Sequence, residues 1–246
     1  MRQVRIYQPG IFQAGERALL DKAASNHLLR VLRFKNKQTF SIFNGKGIEY
    51  LCTLEIDGKK AIAQIQDVKQ AINESGLTIH LYQGISKGER MDIAIQKSVE
   101  LGVHSITPLI CERTVVNLKN DRLDKKLSHW QGVAISACEQ SGRSYLPEIH
   151  HPEKLTDLAN SFPDTDSETL KLVLDPNASN SFKRLQPTAK AVSILIGPEG
   201  GFTQQEILRA KESNFTGINL GPRILRTETA ALAAITSAQL LWGDLG

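Results

Sequence analysis

Two short stretches of this 246-residue sequence combine residue types able to hold a ligand and act on it. In the first, the apolar run Ser193-Ile194-Leu195-Ile196 leads directly into Gly197-Pro198-Glu199-Gly200-Gly201. Glycines tolerate positive φ and let backbone approach a ligand closely, while proline stiffens the turn. A buried parallel strand ending in such a turn is where α/β proteins place ligands, at the carboxyl edge of the sheet. The same residues also suit an ordinary tight strand-to-helix connection. The second stretch, Asn219-Leu220-Gly221-Pro222-Arg223-Ile224-Leu225-Arg226-Thr227-Glu228-Thr229, repeats the logic. A strand ends near Leu220, a Gly-Pro turn follows, and a helix begins near Thr227, a credible N-cap. Two such loops could pinch a flat ring between them, with Ile224 and Leu225 as its apolar walls. Arg223, Arg226 and Glu228 could equally form a surface salt-bridge cluster at a helix start.

The elements that must position these loops are legible from periodicity. From Leu77 onward, strand-like and helix-like segments alternate. The strands are expected at Leu77–Ile85, Ser105–Ile110, Leu170–Leu174, Val192–Ile196 and Gly217–Leu220. The helices are expected at Glu89–Leu101, Leu123–Glu139, Thr203–Ser213 and Thr227–Trp242. Gly102 fits a helix C-cap, and Thr203-x-x-Glu206 fits a capping box. This alternation, with several strands nearly all apolar, predicts a parallel sheet covered on both faces. Asn177–Lys190 is polar and reads as a surface loop.

The first 70 residues have a different texture. Val4–Tyr7, Thr39–Phe43, Ile48–Ile56 and Lys60–Val68 read as short strands, with Asn44-Gly45 and Asp57-Gly58 as hairpin signals. One helix, about Ala23–Leu32, interrupts them, and the set predicts a small β-barrel. The polar stretch Asn73-Glu74-Ser75-Gly76 reads as the linker, giving domains at 1–72 and 77–246. Of the net +4 charge, residues 1–70 carry +6 and the remainder −2. A basic module joined to a near-neutral one points to a polyanionic partner for the first, though a merely soluble basic domain has the same charge.

Other chemistries are excluded. No P-loop pattern is present, and Gly84-Ile85-Ser86-Lys87-Gly88 lacks dinucleotide-binding spacing. The three cysteines, Cys52, Cys111 and Cys138, are widely separated, which argues against a disulfide framework or a zinc site and for a cytoplasmic protein. His150-His151 has no ligands at metal spacing, so no metal is expected. Ser141 is not in a nucleophile elbow. No apolar run reaches the roughly 20 residues of a membrane span, and the N-terminus lacks the apolar core of a signal peptide.

Taken together, these residues resemble the ribosomal RNA small subunit methyltransferase E family, in the SPOUT superfamily of knotted methyltransferases. The resemblance rests on Arg2 to Tyr7, His27 to Arg33, Ile95 to Val103, Ala137 to Arg143, Leu195 to Gly201 and Leu220 to Ala230. It implies an N-terminal PUA-like β-barrel and a C-terminal α/β domain with a deep trefoil knot within about residues 192–246. It also implies a homodimer formed through the knotted domain, and methyl transfer from S-adenosylmethionine to N3 of one uridine of 16S rRNA in the small ribosomal subunit. The cofactor residues implied are Leu174, Ile196, Gly197, Pro198, Glu199, Gly200, Leu220, Gly221, Ile224, Leu225, Thr229 and Ala230.

For catalysis, Arg226 is expected to favour the uracil anion and Glu228 to accept its proton. Arg2, Arg5, Arg30 and Arg33 in the barrel, with Lys87, Arg90, Arg113 and Arg143 beyond it, are the expected RNA phosphate contacts. Two rival readings are a non-enzymatic RNA-binding factor and a ribose 2′-O-methyltransferase of the same superfamily.

Overall fold

The computed structural model describes residues 3–115, 121–158, 169–185 and 190–246. The chain divides into two compact units. The first comprises residues 1–74 together with 135–146, and the second comprises 75–134 and 147–246. The polar stretch 73–76 thus contains the first boundary, while the inclusion of 135–146 in unit 1 has no counterpart in the sequence-based division.

Unit 1 is built on a five-stranded sheet. Its strands are β1 (Arg5–Tyr7), β2 (Arg17–Leu19), β3 (Thr39–Phe43), β4 (Ile48–Asp57) and β5 (Lys60–Gln70), in the order β1-β3-β4-β5-β2. β1 runs parallel to β3 and the other pairings are antiparallel. The expected barrel is therefore seen as a mixed sheet whose order ends on β1 and β2. Alternate side chains, among them Phe40, Ile42, Tyr50, Cys52, Leu54, Ala61, Ala63 and Ile65, form its core with Ile6 and Leu28, as the period-two pattern requires. Gly58, at φ +59, turns the β4–β5 hairpin, where Asp57 pairs with Lys60. The strand β2 escaped the sequence reading because three residues carry too little alternation to see.

The expected single helix is two pieces. An α-helix, α1 (Lys22–Asn26), is capped by the Asp21 carboxylate, which accepts from the Ala24 N–H at 2.8 Å. A π-helical turn, His27–Val31, continues it. Arg33 follows at φ +54, a left-handed conformation uncommon outside glycine.

Unit 2 is an α/β sheet. Its elements in chain order are β6 (Thr78–Gly84), α2 (Glu89–Glu100), β7 (Ser105–Ile110), α3 (Asp121–Ser141, whose end lies in unit 1), β8 (Glu148–Ile149), β9 (Glu153–Lys154), α4 (Leu155–Leu158), β10 (Thr169–Leu174), β11 (Ala191–Ile196), α5 (Gln204–Glu212), β12 (Thr216–Ile218) and α6 (Thr227–Trp242). The sheet order is β12-β10-β11-β6-β7-β8, with β9 also on β7, and every pairing is parallel. Val173 and Leu195 face a cluster with Ala210 of α5 and Leu155 of α4. On the other side α6 packs on β6, β11 and α2. Both faces are covered, which explains the nearly all-apolar strands. Helix ends follow local chemistry: Thr203 and Glu206 form the reciprocal capping box that starts α5, and Gly102, at φ +86, follows α2.

Candidate functional site

The carboxyl ends of three neighbouring strands, β11, β10 and β12, open into one cavity of about 950 Å³. Ile196, Leu174 and Ile218 are the last residues of those strands, and all three line it. Its walls are the loops that follow: Asp175–Asn177, Gly197–Phe202 and Asn219–Arg226. Location at the carboxyl edge of a parallel sheet is dictated by the fold, because there the connections to the helices diverge and leave a crevice.

Each loop is held by identifiable bonds. Gly201, at φ +67, closes the first turn by donating its N–H to the Pro198 carbonyl at 2.8 Å. A side chain at Gly84 would place Cβ 2.3 Å from the Pro198 nitrogen, so the turn lies directly on the end of β6. Arg113 donates to the Gly200 and Phe202 carbonyls at 2.8 and 3.4 Å. The Asn219 carboxamide oxygen accepts from the Gly221 N–H at 2.6 Å, and its amide donates to the Pro176 carbonyl at 2.5 Å, tying the Asp175–Asn177 and Asn219–Arg226 loops together. The Asp175 carboxylate accepts from the Asn177 N–H at 2.9 Å.

Glu199 points toward the start of α2. Its Oε1 accepts from the Lys87 N–H at 2.8 Å and from Arg90 at 3.0 Å. Burial pushes the Glu199 pKa up, but the Lys87 and Glu199 backbone N–H groups and Arg90 together outweigh it and hold the carboxyl below its ordinary value. The side chain expected to meet a cofactor therefore clamps its own loop.

Of the expected cofactor residues, Leu174, Ile196, Gly197, Pro198, Glu199, Gly200, Leu220, Gly221, Ile224, Leu225 and Ala230 line the cavity. Thr229 does not, and neither does Glu228. Helix phase is the reason: Thr227 and Ala230 share one face of α6, while residues 228 and 229 turn away from it. Glu228 has one carboxylate oxygen buried without a hydrogen-bond partner among the described residues. Its expected place beside a reacting base is therefore not among the cavity-lining positions. Arg226 lines the cavity, and its side chain makes no hydrogen bond or ion pair with any described residue. It is also the N-cap of α6, where Thr227 was expected.

The expected RNA contacts separate into three groups. Arg30, Arg33 and Lys87 are exposed. Arg90 and Arg113 are exposed yet engaged at the cavity wall. Arg5 and Arg143 are instead turned inward: each side chain is only 8% exposed and ion-paired, Arg5 with Glu49 and Arg143 with Glu74, both at 2.6 Å. Arg5 further donates to the Cys138 and Arg143 carbonyls and the Ser144 hydroxyl, so it fastens segment 135–146 within unit 1. Arg2 lies outside the described residues.

Sequence reasoning missed Gln83, Asp175, Asn219 and Lys211. Gln83 is fully buried and donates to the Thr227 hydroxyl at 2.8 Å. That hydroxyl donates in turn to the Gly197 carbonyl at 2.6 Å. A glutamine at the inward alternate position that Ile79 and Leu81 also occupy in β6 was the available signal.

The cavity fits a nucleoside-like cofactor. Its volume lies within the range of about 300–1,000 Å³ usual for such sites. It offers apolar walls from Leu174, Ile196, Leu220 and Leu225. At Gly197 a Cβ would meet the backbone of Gly201 and Phe202 at 3.0 Å, so that part of the wall is bare main chain. Among the described residues no cluster could hold a metal ion, and no helix is long and apolar enough to cross a membrane.

Comparison with known proteins agrees with these features. Residues 73–239 match the family described as RNA methyltransferase domain, and residues 20–66 match the RNA methyltransferase PUA domain. The ribosomal RNA small subunit methyltransferase E of Buchnera aphidicola subsp. Schizaphis graminum is 40% identical over 242 residues, 98% of this chain and 97% of the relative. A crystal structure of the enzyme of that name from Neisseria gonorrhoeae, bound to S-adenosylmethionine, superposes with a TM-score of 0.90 at 40% identity and full coverage of both chains. A Legionella pneumophila protein solved with the same cofactor gives 0.93 at 41% identity, again with full coverage of both.

Proposed function

The chain belongs to the ribosomal RNA small subunit methyltransferase E family, and from that premise we propose that it methylates N3 of one uridine in 16S rRNA. S-adenosylmethionine would be the donor and the small ribosomal subunit the partner, in the cytoplasm. The observation that carries this reading is the cavity at the ends of β10, β11 and β12, in a chain that aligns end to end with relatives solved with that cofactor.

When bound, the cofactor supplies a methyl group on a sulfonium, an electrophile that needs no further activation. The protein's task is to orient it and to make the acceptor nucleophilic. The glycine backbone of residues 197–201 and the apolar side chains of Leu174, Ile196, Leu220 and Leu225 are the holding surface. Uridine N3 carries a proton that must leave, and the resulting charge spreads over O2 and O4. The unpaired Arg226 guanidinium at the cavity wall is the group available to favour that anion. Glu228 is not among the residues lining the cavity, so the N3 proton is assigned to solvent water and stabilisation of the anion that remains to Arg226.

The exposed Arg30 and Arg33, on and after the π-helical turn, are the proposed phosphate contacts of unit 1, with Lys87, Arg90 and Arg113 serving unit 2. The remaining inferences follow the family: a closed PUA-like barrel for unit 1, a trefoil knot at the C-terminal end of unit 2, and a homodimer. The exposed side chains of Leu240 and Leu241 in the last turn of α6, and of Leu245 just beyond it, support the dimer, since a second copy would cover them.

The test is nucleoside mass spectrometry of rRNA from cells lacking the protein, with primer extension across the site. Loss of one N3-methyluridine, restored by purified protein and S-adenosylmethionine, is expected. An unchanged modification profile, or a ribose methyl in place of the base methyl, would overturn the assignment.

A further inference from the structure

Resting on that function, we propose that Ile224 is the platform for the methyl-accepting base and is not part of the cofactor wall, with Arg223 holding the adjoining phosphate. The cofactor reading groups Ile224 with Leu220 and Leu225, but the structure separates them. Leu220 and Leu225 are half-buried, whereas Ile224 is 81% exposed although it lines the cavity. Lone exposed aliphatic residues are common on outer surfaces; this one lines the cavity, on a loop that also carries Arg223 and Arg226.

Slack in the loop does not account for the exposure. At one end the Asn219 side chain pins the Gly221 N–H at 2.6 Å. At the other, the Thr227 hydroxyl is bonded to the Gly197 carbonyl at 2.6 Å. Gly221, at φ +112, sets the bend between them. The loop is thus fixed at both ends, with Arg223 and Ile224 in its middle and Arg226 next to the second anchor. The two arginine side chains make no hydrogen bond or ion pair with any described residue. Arg90 and Arg113, the other arginines on the wall, are engaged by Glu199 and by the Gly200 carbonyl.

Charge and shape select the occupant. A donor and its acceptor must meet in one cavity for methyl transfer, and a base acquires access to such a cavity by leaving its stack. An extruded nucleotide brings a flat apolar face and an anionic linkage together. It therefore matches a cavity-lining loop that carries an exposed aliphatic side chain and two unpaired guanidinium groups. A second copy of the chain seated on Ile224 is the alternative occupant.

The experiment uses the full chain with Ile224→Ala and Ile224→Phe. Affinity for S-adenosylmethionine is measured by calorimetry, kcat and KM on unmethylated small subunits, and oligomeric state by light scattering. Ile224→Ala should raise KM for the subunits about tenfold, the scale of losing an aliphatic side chain's buried contact, with cofactor Kd and oligomeric state unchanged. Ile224→Phe should restore KM by offering a larger platform. A matching loss of cofactor affinity would return Ile224 to the cofactor wall and overturn the proposal. A shift in oligomeric state would assign it to a copy-to-copy contact, and unchanged kinetics would leave it no role; either result overturns it too. A wild-type chain that binds no S-adenosylmethionine would overturn the function on which the proposal rests.

Discussion

The Thr227 hydroxyl donates to the carbonyl oxygen of Gly197 at 2.6 Å and thereby joins the start of α6 to the Gly197–Phe202 loop at the cavity. Gln83, from the end of β6, completes the chain by donating to the same hydroxyl. Thr227 is 6% exposed, so water does not replace these partners easily. Thr227→Val keeps the shape and removes both bonds. It should lower stability by about 1–3 kcal/mol, the cost of leaving buried polar groups unsatisfied, and weaken binding of S-adenosylmethionine. Thr227→Ser should retain most of both. Urea denaturation and calorimetry on the three proteins provide the check.

Two glycines should respond in opposite directions to alanine. At Gly84 the new Cβ would lie 2.3 Å from the Pro198 nitrogen and 2.6 Å from the Gly197 carbonyl carbon, both main-chain atoms with no rotamer to yield. Gly84→Ala should destabilise by about 1–3 kcal/mol and distort the cavity. Gly132 lies within α3, and a Cβ added there would meet nothing within 4 Å. Gly132→Ala should stabilise by roughly 0.5–1 kcal/mol, because the unfolded chain loses more freedom than the helix does. Chemical denaturation curves for the pair decide this.

Basic residues of unit 1 should divide by burial rather than by charge. Arg5 bonds to Glu49, Cys138, Arg143 and Ser144, and its guanidinium lies 4.9 Å from the centre of the Phe43 ring. Arg5→Met should cost about 3 kcal/mol, since Glu49 and several acceptors lose a partner. Arg33→Ala should stay within about 0.5 kcal/mol of the parent while weakening rRNA binding. Thermal melts with filter binding separate the two effects.

What the sequence made legible follows from how local each signal is. Strands with clear alternation, such as Thr39–Phe43, and the glycine-rich turn at 197–201 are encoded within a few residues. The strands β8 and β9, of two residues each, carry no period to read. The joining of 135–146 to unit 1 depends on pairs such as Arg5 and Ser144, 139 residues apart. Gln83 and Thr227 are separated by 144. Glu228 illustrates a different limit: its place beside the loop was evident, but which side of α6 faces the cavity depends on how the helix packs.

Stability should also depend on pH through His80. Burial lowers its pKa from 6.5, and neighbouring His104 and His150 lower it further. Its Nδ1 lies 2.8 Å from the Ser105 hydroxyl, and its ring meets that of His104 edge to face. Below about pH 6.5 the unfolded chain binds a proton that the folded chain resists, so stability is lost as pH falls toward the folded value. His80→Gln should flatten that part of the curve. Denaturation midpoints between about pH 8 and pH 5 test it; an unaltered slope would move the effect to another group.

The strongest test of mechanism concerns Arg226, whose side chain makes no bond to a described residue. If it stabilises the uracil anion, Arg226→Ala should reduce kcat by about 10²–10³-fold, the scale of losing one charge-stabilising donor. Cofactor affinity should be unchanged. Arg226→Lys should recover part of the loss, because the charge returns without the planar fork. The deficit should shrink as pH rises, since the uridine imide then loses its proton to solvent without help. A deficit independent of pH, accompanied by weaker S-adenosylmethionine binding, would instead make Arg226 a cofactor contact. The pH dependence distinguishes these roles because anion stabilisation acts on the acceptor, whereas cofactor binding acts on the donor.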